Sequence, residues 1–143
     1  FLVLFSGSGI VGIVVFCFGV KEVVFVENYP PAVRLLRFNI NNLNMGEKVK
    51  IFSYDVFSFL KNYKGEKFDI IFIDPPYSLG DRINELLKLI VEKQMLNNDG
   101  IVIIEHHKKI KLIDYIGDLI LFQDKKFGET IFSYYKMKEK NNV

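Results

Sequence analysis

Five short apolar runs alternate with stretches of helical spacing, and this alternation limits the fold more than any other feature. The runs are Phe1–Phe5, Glu22–Val26, Lys48–Phe52, Phe68–Ile73 and Ile101–Glu105. The last two are almost continuously apolar, as strands covered on both faces are. Between the runs, helices are predicted over Gly9–Phe18, Pro31–Leu43, Val56–Tyr63 and Asp81–Lys93. Val33, Leu36 and Ile40 fall near helical spacing in the second, and Ile83, Leu86, Leu87 and Ile90 form a stripe in the fourth. Pro30 and Pro31 suit a helix start, and Asn98-Asp99-Gly100 reads as a turn. A βαβα series implies a parallel sheet with helices on both faces. The end of the chain differs. Leu119–Lys126 and Thr130–Met137, joined through Gly128, read as an antiparallel hairpin. The expectation is an α/β domain with a mostly parallel seven-stranded sheet, closed by a C-terminal antiparallel hairpin. The polar tail Lys138–Val143 is expected to fray.

The 143 residues, 50% of them hydrophobic, suffice for a single domain with its own core, residues 1–143. Net charge is only +2, from 19 basic against 17 acidic residues. A dedicated polyanion binder carries a stronger basic excess, so charge alone does not announce nucleic acid. One cysteine, Cys17, excludes a disulfide framework and a Cys-rich zinc site; it is expected to be a small core residue of the first helix. A reducing, cytoplasmic setting fits. The first residues, Phe1-Leu2-Val3-Leu4-Phe5, already read as a buried strand, so the chain is expected to be a fragment. Residues Phe1 to Val20 carry no charge, which also raises a membrane helix or a signal peptide. Ser6-Gly7-Ser8-Gly9 interrupts that run and no basic residue precedes it, and both features argue against those readings.

Gly7-Ser8-Gly9-Ile10-Val11-Gly12 fits G-x-G-x-x-G between a strand and a helix. Glycines there make a tight turn and let a ligand approach the main chain, next to the free N–H groups of a helix start. The pattern serves dinucleotides as readily as S-adenosylmethionine, and a plain βα turn also explains it. Glu27 ends the second strand, where a carboxylate can accept hydrogen bonds from ribose hydroxyls; a surface Glu beside Asn28 is the plainer explanation. Asp55 follows the third strand and can reach an adenine amino group. It also suits a helix N-cap, and both roles can hold together.

Asp74-Pro75-Pro76-Tyr77 follows the fourth strand and is the most specific pattern in the chain. Two prolines stiffen the loop and remove two backbone donors. The amino group of a base is a poor nucleophile because its lone pair is delocalised into the ring. Asp74 and the Pro75 carbonyl can each accept one of its hydrogens and turn the lone pair toward an incoming methyl group. Tyr77 can stack on the base, worth about 1–3 kcal/mol. Transfer from a sulfonium needs placement above all, with near-attack distances of about 3–3.5 Å. A rigid turn is the plainer alternative. His106 and His107 are adjacent and have no partners at metal-ligand spacing, so no metal is expected.

These residues resemble a known family. LFSGSGIVGI, VVFVENYPPAVRLLRFNI, FDIIFIDPPY, IVIIEHHKK and KKFGETIFSYY are similar to the bacterial small-subunit ribosomal RNA guanine-N(2) methyltransferases of the RsmD type, over nearly the whole chain. Glu105-His106 and Lys126-Phe127-Gly128-Glu129-Thr130 carry the more specific part of the likeness. The resemblance implies a Rossmann-like class I methyltransferase fold. It implies S-adenosylmethionine held around Ser6, Gly7, Ser8, Gly9, Glu27, Asn28, Asp55, Val56 and Asp74, and catalysis at Asp74, Pro75, Pro76 and Tyr77. It further implies methylation of a guanine N2 amino group in ribosomal RNA, free or in a small-subunit assembly particle, by a cytoplasmic monomer. The base is expected to be extruded from its stack.

The chain also departs from that family. The chain is expected to lack the arginine-rich RNA-binding segment usual before the first strand. Val3 stands where an acidic residue is usual. Val14 and Phe18 replace residues usually polar or charged, and Tyr54 replaces a glycine before Asp55. These departures predict weak cofactor binding and poor methylation, or an apolar surface that something else covers. Lys108, Lys109, Lys111, Lys125 and Lys126 can touch phosphates, although solvated lysines explain them equally well. Glu105 and His106 can contact RNA, or sit in a solvated turn. Two other functions stay open. One is an adenine-N6 nucleic-acid methyltransferase, which would use the same loop. The other is a catalytically impaired nucleotide-binding Rossmann-like domain, for which Val3 speaks.

Overall fold

The computed structural model describes residues 1–139. The elements run β1 Leu2–Leu4, α1 Ile10–Cys17, β2 Val23–Val26, α2 Pro30–Asn42, β3 Val49–Phe52, α3 Val56–Lys61, β4 Phe68–Ile73, α4 Ile83–Glu92, β5 Leu96–His107, β6 Tyr115–Ile116, β7 Leu119–Phe127 and β8 Thr130–Met137. All eight strands form one sheet, in the order β3-β2-β1-β4-β5-β8-β7-β6. The first five run parallel and the last three antiparallel. The doubly wound expectation holds, with one addition: the two-residue β6 makes an eighth strand. Its Tyr115-Ile116 is too short to show a period-2 signal.

Strand order reverses at β1 and β4, where the chain crosses from one half of the sheet to the other. Such a reversal opens a crevice beyond the carboxyl ends of the strands. The helices pack on both faces. On one face α3 and α4 cover Leu4, Ile71, Ile73, Val102 and Ile104, with fully buried Leu60, Leu86, Leu87 and Ile90. On the other α2 covers Val3, Phe25 and Phe72 with Leu36 and Ile40. Val3 is 2% exposed and packs among apolar neighbours there.

Some local expectations need correction. Asn98-Asp99-Gly100 does not end a turn before β5. It lies within the strand as a bulge, where Phe68 pairs with Leu96 but Ile70 already pairs with Ile101. Residues 77–82 form a 3₁₀ stretch that delays α4 to Ile83. Cys17 is exposed rather than a core residue. It closes a helix whose outward face is apolar as well, so hydrophobicity there did not report burial. Val14 and Phe18 are exposed too, Phe18 to 86%. Among the described residues no helix is long and apolar enough to cross a membrane. The predicted frayed tail lies, from residue 140 onward, outside the described residues.

Candidate active site

β1 ends in Phe5, Ser6 and the glycine turn. Phe5 and Gly7 both adopt positive φ, 61° and 54°. For Phe5 this is a strained conformation, of the kind that costs about 1–3 kcal/mol and gathers at functional sites. Gly9, also at positive φ (83°), and Gly12 serve packing. A Cβ at Gly9 would collide with Leu36, and one at Gly12 with the Phe25 ring. The glycines therefore let α1 lie close against β2 and α2, and leave only Gly7 open to a ligand.

Glu27, at the end of β2, ties this turn down. Its Oε1 accepts the Gly7 N–H at 2.7 Å, and its Oε2 accepts those of Asn28 at 2.9 Å and Tyr29 at 3.2 Å. A carboxylate has roughly four acceptor sites, so three are taken. Ser6 Oγ is buried and has no hydrogen-bond partner among the described residues. Buried polar groups are normally paired, and this one lies in the glycine turn.

Asp74 begins the loop after β4. The parallel register that pairs Ile73 with Ile104 sets Asp74 beside Glu105. The two carboxyl groups lie within hydrogen-bond reach, and protonated Asp74 donates to Glu105. Partial desolvation, the Glu105 charge and this hydrogen bond push the Asp74 carboxyl up from 3.8 to about 6. Asp74 still keeps over a third of its surface in solvent, so the desolvation that leads the shift is that of a partly covered cleft wall, and the Glu105 charge adds to it. Among the described residues neither carboxylate has a salt-bridge partner. The Pro76 carbonyl accepts the Leu79 N–H at 3.0 Å, whereas no described residue donates to the Pro75 carbonyl. The two prolines thus leave one acceptor used and one free.

Tyr77 is 79% exposed and meets His107 edge-on, with ring centroids 6.1 Å apart. His107 Nδ1 accepts the Lys109 N–H at 3.0 Å, and Nε2 faces Glu129 Oε2 at 3.4 Å. The Lys108 N–H donates to the Glu129 carbonyl at 2.8 Å. The end of β5 is thereby fastened to the β7–β8 turn. His106 belongs to β5, not to a solvated turn. It is 9% exposed, and its Nε2 lies 2.7 Å from Ser133 Oγ, which donates to Asp124. Lys125 lies over the Tyr134 ring.

These parts meet in one cleft of about 640 Å³. Gly7 and Glu27 line one side, and Asp74, Pro75, Pro76 and Tyr77 the other, beside Glu105 and His107. Ser6, Ser8, Gly9, Asn28, Asp55 and Val56 do not line it. Asp55 caps α3, its Oδ2 accepting the Ser58 N–H at 3.0 Å, and Val56 is buried in the core. Phe5 and Tyr29 line the cleft although their sequence context did not single them out, and so does Thr130, which the sequence marked only as part of the hairpin resemblance. For Phe5 and Tyr29 the available signal was adjacency to the glycine turn and to Glu27. A larger hollow of about 1170 Å³ lies at the opposite ends of the strands, around Glu22, Lys67 and Phe68. Ligands of doubly wound sheets bind at the carboxyl ends, so the smaller cleft is the functional candidate.

The family model described as "Conserved hypothetical protein 95" matches residues 1–136. The chain belongs to the RsmD family. Among its relatives is "Putative rRNA methyltransferase YlbH" of Bacillus subtilis (strain 168), 32% identical over 94% of this chain and 74% of that protein. Another is "Ribosomal RNA small subunit methyltransferase D" of Buchnera aphidicola (subsp. Acyrthosiphon pisum, strain APS). It is 30% identical over 76% of this chain, which spans 56% of its length. A conserved hypothetical protein of Streptococcus pyogenes superposes with a TM-score of 0.86 at 24% identity, over 96% of this chain and 86% of its own. The SAH-bound methyltransferase PaMTH1 of Podospora anserina does so with 0.77 at 16%, over 96% and 71%. These two likenesses show that this RsmD-family chain has the class I methyltransferase fold.

Proposed function

We propose that this chain methylates the exocyclic N2 amino group of a guanine in small-subunit ribosomal RNA, with S-adenosylmethionine as donor. One observation carries the reading. The Asp74 carboxyl, the free Pro75 carbonyl and the exposed Tyr77 ring share a cleft with Gly7 and Glu27. The names of the RsmD-family relatives, which refer to ribosomal RNA, support the substrate class.

The glycine side fits the cofactor. Gly7 lines the cleft with open space beside its Cα, and Glu27, which also lines it, retains about one acceptor site for a ribose hydroxyl. Capture of both ribose hydroxyls would require Glu27 to release the Asn28 or Tyr29 N–H. S-adenosylmethionine, when bound, supplies a methyl group activated by its sulfonium. Tyr77 stacks on the extruded base and fixes its plane. Asp74 and the Pro75 carbonyl each accept one amino hydrogen, which directs the nitrogen lone pair out of the ring plane. Asp74 receives the proton that nitrogen sheds as its new N–C bond forms. A carboxyl pushed up to about 6 is a better proton acceptor than an ordinary one and is still largely ionised at neutral pH.

The test is methyl transfer by the purified chain to small-subunit ribosomal RNA, to small-subunit particles and to duplex DNA, followed by mass spectrometry of the nucleosides. N2-methylguanosine in the RNA is expected. N6-methyladenine in its place would establish the adenine reading. S-adenosylhomocysteine binding without methylation of any substrate would leave an impaired nucleotide-binding domain.

A further inference from the structure

Glu105 has no part in the mechanism above, yet it lines the cleft. The β4–β5 register places it beside Asp74, and it lines the same wall as Pro75 and Tyr77. The adjoining histidines do not neutralise it. His106 turns to Ser133, and His107 is held between the Lys109 N–H and Glu129. No Lys or Arg pairs with it among the described residues. Two ionised carboxylates side by side offer acceptors only. Such a wall is satisfied by a ligand edge that carries two adjacent N–H donors.

Among the four RNA bases only guanine presents that edge to an amino methyltransferase. Its N2 amino group lies beside N1–H. Adenine sets N6 beside the bare N1 lone pair, and cytosine sets N4 beside the bare N3. Uracil has N3–H but no amino group. A carboxylate facing a ring lone pair is repelled, and the contact leaves both acceptors unpaired. We propose that Glu105 selects guanine by accepting its N1–H while Asp74 engages the neighbouring N2 amino group. This assignment rests on the guanine reading above and names the residue that enforces it. Accepting N1–H also pushes electron density into the ring, which makes N2 a better nucleophile.

2-Aminopurine probes the effect. It keeps the 2-amino group but has a bare lone pair at N1 and no O6, so the comparison with Glu105→Gln is what isolates the N1 contact. The methylated guanine is first mapped in the wild-type product. Synthetic RNA segments then carry guanine or 2-aminopurine at that position, and kcat/KM is measured for the wild type and for Glu105→Gln. The wild type is expected to prefer guanine by more than about tenfold, the scale of a hydrogen bond to a charged group. Glu105→Gln keeps the shape of the side chain and adds a donor that can face N1 of 2-aminopurine. Its preference is expected to collapse toward unity. Equal losses on both bases, with the preference intact, would reduce Glu105 to a structural residue and overturn the proposal. So would a wild type that methylates both bases equally, a result that needs no variant to fold. Failure to find any methylated guanine would overturn the functional reading itself and this assignment with it.

Discussion

The two sides of the cleft are built on opposite plans. On the glycine side the chain completes its own hydrogen bonding: Glu27 takes three backbone N–H groups, and Gly9 and Gly12 let α1 seat against β2 and α2. On the Asp-Pro-Pro-Tyr side acceptors gather without donors: Asp74, Glu105 and the Pro75 carbonyl share one wall. The first side is a finished structural unit that offers a ligand its backbone. The second is incomplete until a donor edge arrives. Damage to the glycine side should therefore appear mainly in stability, and damage to the acceptor side mainly in turnover.

The largest expected effect tests the acceptor side. Asp74→Asn removes the proton acceptor and keeps the size of the side chain. Turnover should fall about 10²- to 10⁴-fold, the usual share of general-base catalysis. Calorimetric affinity for S-adenosylhomocysteine should stay within about twofold. A variant that lost cofactor binding as severely as turnover would erase the distinction between the two sides.

Gly12→Ala tests the other side. The added methyl would press on the Phe25 ring, which is fully buried beneath α1. Overpacking of this kind costs about 1–3 kcal/mol. Thermal unfolding should occur several degrees lower, while kcat of the molecules that stay folded changes little. An unchanged melting temperature would mean that the glycine turn is not the packed unit described here. Tyr77→Ala returns to the acceptor side with a smaller effect. The ring is exposed and supports no core, so the melting temperature should not move. KM for RNA should rise roughly five- to tenfold, near the lower end of base-stacking energies.

The fold was legible because its signals are long and redundant. The stripe Ile83, Leu86, Leu87 and Ile90 and the run of β4 each repeat one pattern over several residues, and both are buried as expected. The turn at Asn98-Asp99-Gly100 was misread because turn residues also suit a bulge, and only pairing with β4 tells the two apart. Cys17 was misplaced because α1 is apolar all round, so periodicity could not name its inner face. At the site, Gly7, Glu27 and Asp74 through Tyr77 were readable as local patterns at strand ends, and they do share a cleft. Asp55 was readable as a local pattern too, but it falls outside the cleft, since a place at a strand end does not state which way a side chain turns, and Val56, implied by the resemblance alone, falls outside it as well. The pairing of Asp74 with Glu105 joins residues 31 positions apart in the chain and depends on strand register. No local spacing encodes it.

The smallest predicted effect concerns the cost of holding Asp74 in a partly desolvated cleft wall beside Glu105. Asp74 titrates near 6 when folded and near its ordinary 3.8 when unfolded. Between those values the folded chain holds a proton that the unfolded chain has released. Stability therefore falls as pH rises through this window, by the linkage between proton uptake and folding. Asp74→Asn has no such proton, so its melting temperature should gain on the wild type between pH 4 and pH 6.5 and level off above. The gain should be small, because Asp74 is partly exposed and solvent screens the Glu105 charge. A difference between Asp74→Asn and wild type that stays flat with pH would show that the two carboxylates do not crowd each other in solution, and the contrast between the two sides would then rest on hydrogen bonding alone.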